Sequence, residues 1–176
     1  MKTRLILTVT LFFLCLHVNS QGLKVKPYYD RQFGIETGLG GGGEKNVPFL
    51  FGVQFGSFYR IKNHQFGVRL SRYSRLKIYY NEECLTANAF YGFVFSSHIV
   101  SITPQVGVGY FRNEEIPRSA WSNYNLEAAL EFACTKVGNG LYIRPFCIWN
   151  RYHTFLGLTL GGRFGYAWNK KKEVQE

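Results

Sequence analysis

Methionine and proline are both scarce in this chain of 176 residues, which has one Met and five Pro. Each proline removes a backbone donor, so their scarcity leaves long stretches free to pair in a sheet. Cysteine is also sparse. Apart from Cys15 there are only Cys84, Cys134 and Cys147, an odd and widely spaced set. That excludes a disulfide framework, and without a Cys-x-x-Cys or His-rich cluster no metal or other cofactor is expected. Acidic residues are in the minority, 11 against 21 Lys and Arg. Beyond residue 20 no apolar run reaches the roughly 18 to 20 residues of a membrane-spanning helix, which excludes a helical membrane protein.

The first twenty residues differ from the rest. Lys2 and Arg4 form a basic start, Leu5 to Val18 is mostly apolar, and Val18-Asn19-Ser20 offers small or neutral residues before Gln21. That order predicts a secretory signal peptide over 1–20. The apolar run is too short for an anchor. A lipoprotein reading of Cys15 is disfavoured because Phe13-Leu14 lacks the small residue such processing prefers. Without Lys2 and Arg4 the remaining chain carries 19 basic against 11 acidic residues, a net charge of +8. An exported chain rarely meets nucleic acid, so anionic lipid headgroups and lipopolysaccharide phosphates are the expected partners.

What the chain has in abundance is aromatics and glycine: 16 Phe, 12 Tyr and 19 Gly. From Arg31 onward the hydrophobic period is two, which predicts strands. Eight are drawn, at 31–40, 48–61, 64–75, 85–96, 99–112, 122–136, 141–150 and 155–168. In each, one face is apolar and the other polar, small or glycine, as with Phe51, Val53, Phe55 and Tyr59 against Gly52, Gln54, Gly56 and Arg60. A slip of one residue would turn the apolar set to the wrong face, so proposed hairpins test the assignment. A Lys62-Asn63 turn sets Tyr59 against Phe66, Ser57 against Val68 and Phe55 against Leu70. A Ser97-His98 turn sets Phe95 against Val100 and Phe93 against Ile102. Asn139-Gly140, the favoured type I′ pair, places Leu130 and Phe132 on the face of Leu141 and Ile143. Short turns alternate with longer polar segments at about 41–47, 76–84 and 113–121, and only 150–154 is shorter.

The alternating Gly/aromatic strands and the closing Gly161-Gly162-Arg163-Phe164-Gly165-Tyr166-Ala167-Trp168 resemble the small outer-membrane β-barrel superfamily of porin-like and OmpA-like domains. The resemblance is one of pattern over 31–168. It implies an all-β fold: a closed antiparallel up-and-down transmembrane β-barrel of eight strands. It also implies a Gram-negative outer-membrane address reached through the insertion machinery. On this reading 21–30 is an N-terminal periplasmic segment and 169–176 a basic periplasmic tail, which departs from families that end on an aromatic.

Two barrels share such alternation. A soluble lipocalin-like barrel turns its apolar face inward around a ligand, and a membrane barrel does the reverse. Glycine favours the membrane barrel. Gly34, Gly38, Gly52, Gly56, Gly67, Gly107, Gly109, Gly157, Gly161 and Gly165 all share the polar face, where a crowded interior needs small residues. That face also carries charges of both signs. Glu36, Arg69, Gln105, Glu127, Glu131, Arg144 and Arg163 are expected to form an interior polar layer, because buried charges need partners. Aromatics gather in two bands: Tyr59, Phe66, Phe95, Tyr166 and Trp168 by the short turns, and Tyr79, Tyr80, Tyr110, Trp121, Tyr124 and Trp149 by the long loops. Membrane interfaces favour such belts.

Few motifs carry chemistry. The glycines between Gly38 and Gly43 lack the Gly-Lys-Ser/Thr ending of a phosphate loop, so a flexible outer loop is expected. Ser97-His98 and His153-Thr154 are loose analogues of a lipid-trimming Ser/His pair, without an orienting acid, and His64 sits at a turn. Glu82-Glu83 and Glu114-Glu115 read as solvated loop carboxylates. Arg72, Arg75 and Lys77, beside Tyr79 and Tyr80, form a candidate lipopolysaccharide contact. Cys134 and Cys147 are expected on the lipid face of one hairpin, offset diagonally, as simple hydrophobes. The sequence therefore points to a non-enzymatic, monomeric outer-membrane barrel with an envelope-structural or surface-interaction role. A lipid A-modifying enzyme and a soluble periplasmic ligand-binding barrel stand as alternatives.

Overall fold

Period-two alternation carries directly into strands. The computed structural model describes residues 31–43, 49–74, 83–96, 100–113, 123–136, 139–151 and 154–168. The segments read as 1–20, 21–30 and 169–176 lie outside the described residues. The strands are β1 (Arg31–Gly43), β2 (Leu50–Ile61), β3 (His64–Ser74), β4 (Glu83–Phe93), β5 (Phe95–Ser96), β6 (Val100–Asn113), β7 (Tyr124–Lys136), β8 (Asn139–Trp149) and β9 (Thr154–Trp168). Every neighbouring pair is antiparallel. Because β1 pairs with both β2 and β9, and β4 also pairs with β6, the sheet closes on itself.

The nine strands make eight staves. β4 and β5 pair with β6 in a single register, Gly92 facing Gln105 and Phe95 facing Ile102. The gap falls where that register sets Phe93 opposite Pro104, which has no N–H to give the ladder. Pro145 interrupts β7–β8 in the same way, between Ala129↔Phe146 and Phe132↔Ile143.

The registers fix the barrel's geometry. Gln32 faces Arg60, which faces Gln65, and the ladder continues through Gly92, Gln105, Ala129, Phe146 and Gly157. Gly157 then faces Gly42, ten residues along β1 from the starting point. A stagger of ten over eight staves tilts the strands by about 40° and gives a radius of about 8 Å, using ordinary strand rise and spacing. Inward side chains fill so narrow a tube.

The Lys62-Asn63 hairpin has the expected register: Tyr59 faces Phe66, Ser57 faces Val68 and Phe55 faces Leu70. Lys62 holds a left-handed φ of 53°. Asn63 anchors the turn to the next stave, its O accepting from Val94 N at 2.7 Å and its Nδ2 donating to Val94 O at 2.8 Å.

Two other turns are corrected. Phe95 faces Ile102 rather than Val100, so the connection is longer than Ser97-His98. Lys136 faces Asn139, so Asn139-Gly140 belongs to β8 and is not the turn. The Asn139 side chain instead accepts from Gly165 N at 3.0 Å. Both shifts preserve parity, so Leu130, Phe132, Leu141 and Ile143 still share the outward face. Cys134 now faces Leu141 and Cys147 faces Ala128, so the two cysteines share a face but are not diagonal neighbours.

A further difference lies inside. The inward face is not uniformly polar or small. Leu50, Tyr73, Cys84, Phe111, Phe146, Ile148 and Phe155 form a buried apolar cluster at the barrel end that carries the longer connections. The Phe155 ring stacks at 5.2 Å from Tyr73 and 6.0 Å from Phe146. Glycine makes room for such rings. Gly52 faces Tyr73, Gly157 faces Phe146 and Gly34 faces Phe58 across the ladder. A β-carbon on Gly34 would lie 2.7 Å from the Phe58 ring.

Candidate functional site

At mid-height the interior is ionic. Alternation aims Glu36 of β1 inward, and five other strands supply its surroundings. Arg69 Nε donates to Glu36 Oε1 at 2.9 Å, Arg163 Nη2 to Oε2 at 3.0 Å, and Arg144 Nη1 lies 3.4 Å from Oε1. Arg69 also reaches Glu127 at 2.9 Å and Gln105 at 3.1 Å. Arg163 pairs with Glu131, which accepts from Gln105 Nε2 at 3.2 Å. All seven residues of the sequence-predicted layer are therefore inside the barrel and joined in one network. Glu36 and Glu131 have no exposed surface.

Several members of this network carry no motif and were not among the seven named from the sequence. Gln54 accepts from Arg144 and from Thr159 Oγ1 at 3.4 Å, and donates to the Tyr142 hydroxyl at 3.3 Å. Asn88 donates to Glu127. Buried rings cover the guanidiniums, Phe90 at 4.1 Å from Arg69 and Phe58 at 4.6 Å from Arg163. The available signal was parity, since each of these residues is an even number of positions from a charged or glycine neighbour on its strand. Charged groups buried this deeply are tolerable only when several partners satisfy each one. The layer cross-ties the staves across the lumen. It presents no nucleophile beside a base.

The outer surface is the reverse. Phe33, Leu39, Phe55, Val68, Leu70, Val108, Leu160 and Phe164 all project outward, with Leu39 as much as 69% exposed. Soluble surfaces scatter such residues singly, whereas here they encircle the barrel. The expected aromatic bands are placed in part. Phe66 and Tyr166 are exposed near the short turns, and Tyr110 faces Tyr124 near the long ones. Tyr91 joins the first band unforeseen, its hydroxyl 2.9 Å from His64 Nδ1 and its ring 5.3 Å from Phe66. Tyr79, Tyr80 and Trp121 lie outside the described residues.

Of the basic patch, Arg72 is exposed on the outward face, while Arg75 and Lys77 lie outside the described residues. Arg112 joins Arg72 there, since both face Leu85 from opposite sides. Ser97-His98, His153, Glu82, Glu114 and Glu115 also fall outside. Among the described residues no cluster of His, Cys, Asp or Glu is arranged to hold a metal.

An eight-stave up-and-down barrel with an ionic interior and an apolar girdle has the fold of the small transmembrane β-barrels. The crystal structure of Neisserial surface protein A (NspA) is similar to it, with a TM-score of 0.60 over 76% of this chain and 96% of that one. Identity is 13%, so the likeness is one of fold. No family model matches the chain, and no curated protein matches it in sequence.

Proposed function

We propose that the chain is a non-enzymatic protein of the Gram-negative outer membrane, where it acts as a monomeric structural or surface-interacting barrel. One observation carries this reading: a continuous apolar girdle faces outward while the paired charges face inward. Water outside such a girdle would be strongly unfavourable, at about 25 cal/mol per Å² of apolar surface. Lipid removes that penalty, and a closed barrel has no open sheet edge to expose to it. The signal-peptide pattern of 1–20 and the fold likeness to a surface protein lend further support.

The alternatives fit less well. A lipocalin-like barrel needs an apolar cavity where this one holds Glu36 and three arginines. A lipid-modifying enzyme needs a Ser/His pair at the rim, and the described histidine, His64, partners Tyr91 instead. Arg72, with Arg75 and Lys77, is the proposed contact for lipopolysaccharide phosphates at the loop end. Neutralising all three should reduce lipopolysaccharide co-purification, and unchanged co-purification would dismiss the contact.

The reading is tested by fractionating expressing cells and running the membrane fraction on detergent gels, boiled and unboiled. A detergent-extracted band whose mobility changes on boiling is the expected result. A soluble band without the change would overturn the reading.

A further inference from the structure

The interior charges do not balance. Among the described residues the buried ionic side chains are Glu36, Glu127 and Glu131 against Arg60, Arg69, Arg144 and Arg163. Arg69, Arg144 and Arg163 each pair with at least one glutamate. Arg60 does not. It is 7% exposed, its Nη2 donates to Gln65 Oε1 at 3.0 Å, and its Nε has no partner in the protein. Among the described residues no carboxylate is in ion-pair contact with it. Glu131 attracts it only at longer range, and Arg163 repels it.

Other donors in this half of the lumen share the condition. Gln65 Nε2, and Nε and Nη1 of Arg163, are buried and unpartnered, as are the hydroxyls of Ser101 and Thr103. Arg60, Gln65 and Thr103 stand on β2, β3 and β6, with β4 between the last two. Arg60 faces Gln65, Gln65 faces Gly92, and a β-carbon on Gly92 would meet the Thr103 methyl at 2.8 Å. Gly92 contributes no side chain, and the Thr103 methyl and Gln105 pack over it, which brings Thr103 close to Gln65. Buried donors without acceptors are disfavoured, and a buried charge without a counter-charge more so.

We propose that this half of the barrel binds one small monovalent anion of the halide class, held by Arg60, Gln65 and Thr103 with Arg163 behind them. The chemistry selects the ion. Guanidinium, amide and hydroxyl groups offer donors from several directions, which a spherical anion accepts and a metal cation cannot use. One negative charge cancels the excess of four arginines over three glutamates. A divalent oxyanion would reverse the imbalance instead of removing it. The site lies on the turn side of the ionic layer, so the anion would enter from the end where β1 begins and β9 finishes.

The test uses the full chain folded in detergent. Crystals soaked in bromide should show an anomalous peak within hydrogen-bonding distance of Arg60 Nε and Gln65 Nε2. In solution, the thermal unfolding midpoint should rise as bromide replaces gluconate at constant ionic strength. Arg60→Gln should abolish that dependence, and Thr103→Val should weaken it. If Arg60→Gln fails to fold, the anomalous map of the unaltered chain decides. A water, or a carboxylate of the chain itself, at that position with no bromide signal would overturn the proposal. So would an unfolding midpoint indifferent to bromide.

Discussion

Replacing Glu36 with glutamine probes the interior most sharply. The two side chains are nearly isosteric, so the substitution opens no cavity and changes charge almost alone. In the barrel, Glu36 accepts from Arg69 at 2.9 Å and Arg163 at 3.0 Å, with Arg144 at 3.4 Å. Glutamine keeps one acceptor oxygen but turns an NH2 group toward at least one guanidinium. The buried excess of arginine over glutamate rises from one to two. Removing one partner of a buried ion pair costs about 3 to 5 kcal/mol, and three cations depend on this carboxylate, so about 4 kcal/mol is expected. Urea unfolding in lipid vesicles, followed by tryptophan fluorescence, measures it as a fall in the midpoint at unchanged slope. Arg144 has the longest contact with Glu36 and is also held by Gln54. Glu36→Gln combined with Arg144→Gln should therefore recover about 1 to 2 kcal/mol through their coupling. A single-variant loss below about 1 kcal/mol, or a double variant no better than the single, would refute the cooperative layer.

Three other substitutions address different parts of the fold. Gly34→Ala should cost about 1 to 3 kcal/mol in the same unfolding assay, because its methyl would press on the Phe58 ring, which Arg163 covers. Val68→Arg, on the outward face, should cost about 2 to 4 kcal/mol in bilayers, whereas on a water-facing surface it would be nearly neutral. Asn63→Ala removes the bond to Val94 O but leaves the backbone bond between the same residues. It should cost about 1 kcal/mol and speed amide exchange at Val94 without changing the register.

How much of this was legible in the sequence depends on the kind of signal. Strand parity could be read because it repeats many times: Phe51, Val53 and Phe55 each restate it, and a single exception cannot overturn it. The seven inward polar residues could be named for the same reason. Turn positions were less secure, since each rests on two residues. Asn139-Gly140 has the strongest short-range turn signal in the chain, yet both residues pair within the ladder and the Asn139 side chain accepts from Gly165 N. The Ser97-His98 turn failed likewise: Phe95-Ser96 continues the register that sets Gly92 against Gln105, so Phe95 meets Ile102 and the connection is longer than two residues. Tyr73, Phe146 and Phe155 were missed as interior residues because an aromatic at an inward position contradicts the simple polar-inside rule. The glycines at Gly52 and Gly157 resolve the contradiction, but only once the strands are aligned can each ring be matched to its gap. Gln54 and Asn88 carry no motif, and their role exists only in three dimensions.

Whether the outward face meets lipid is measured by spin labels. Single nitroxides placed at Phe55, Val68 and Leu160, and in turn at inward Thr103 and Thr159, can be compared in reconstituted liposomes. The three outward labels should collide readily with dissolved oxygen and scarcely with a water-soluble nickel chelate, while the inward labels are shielded from both. Outward labels that collide freely with the nickel chelate would contradict a lipid-facing girdle.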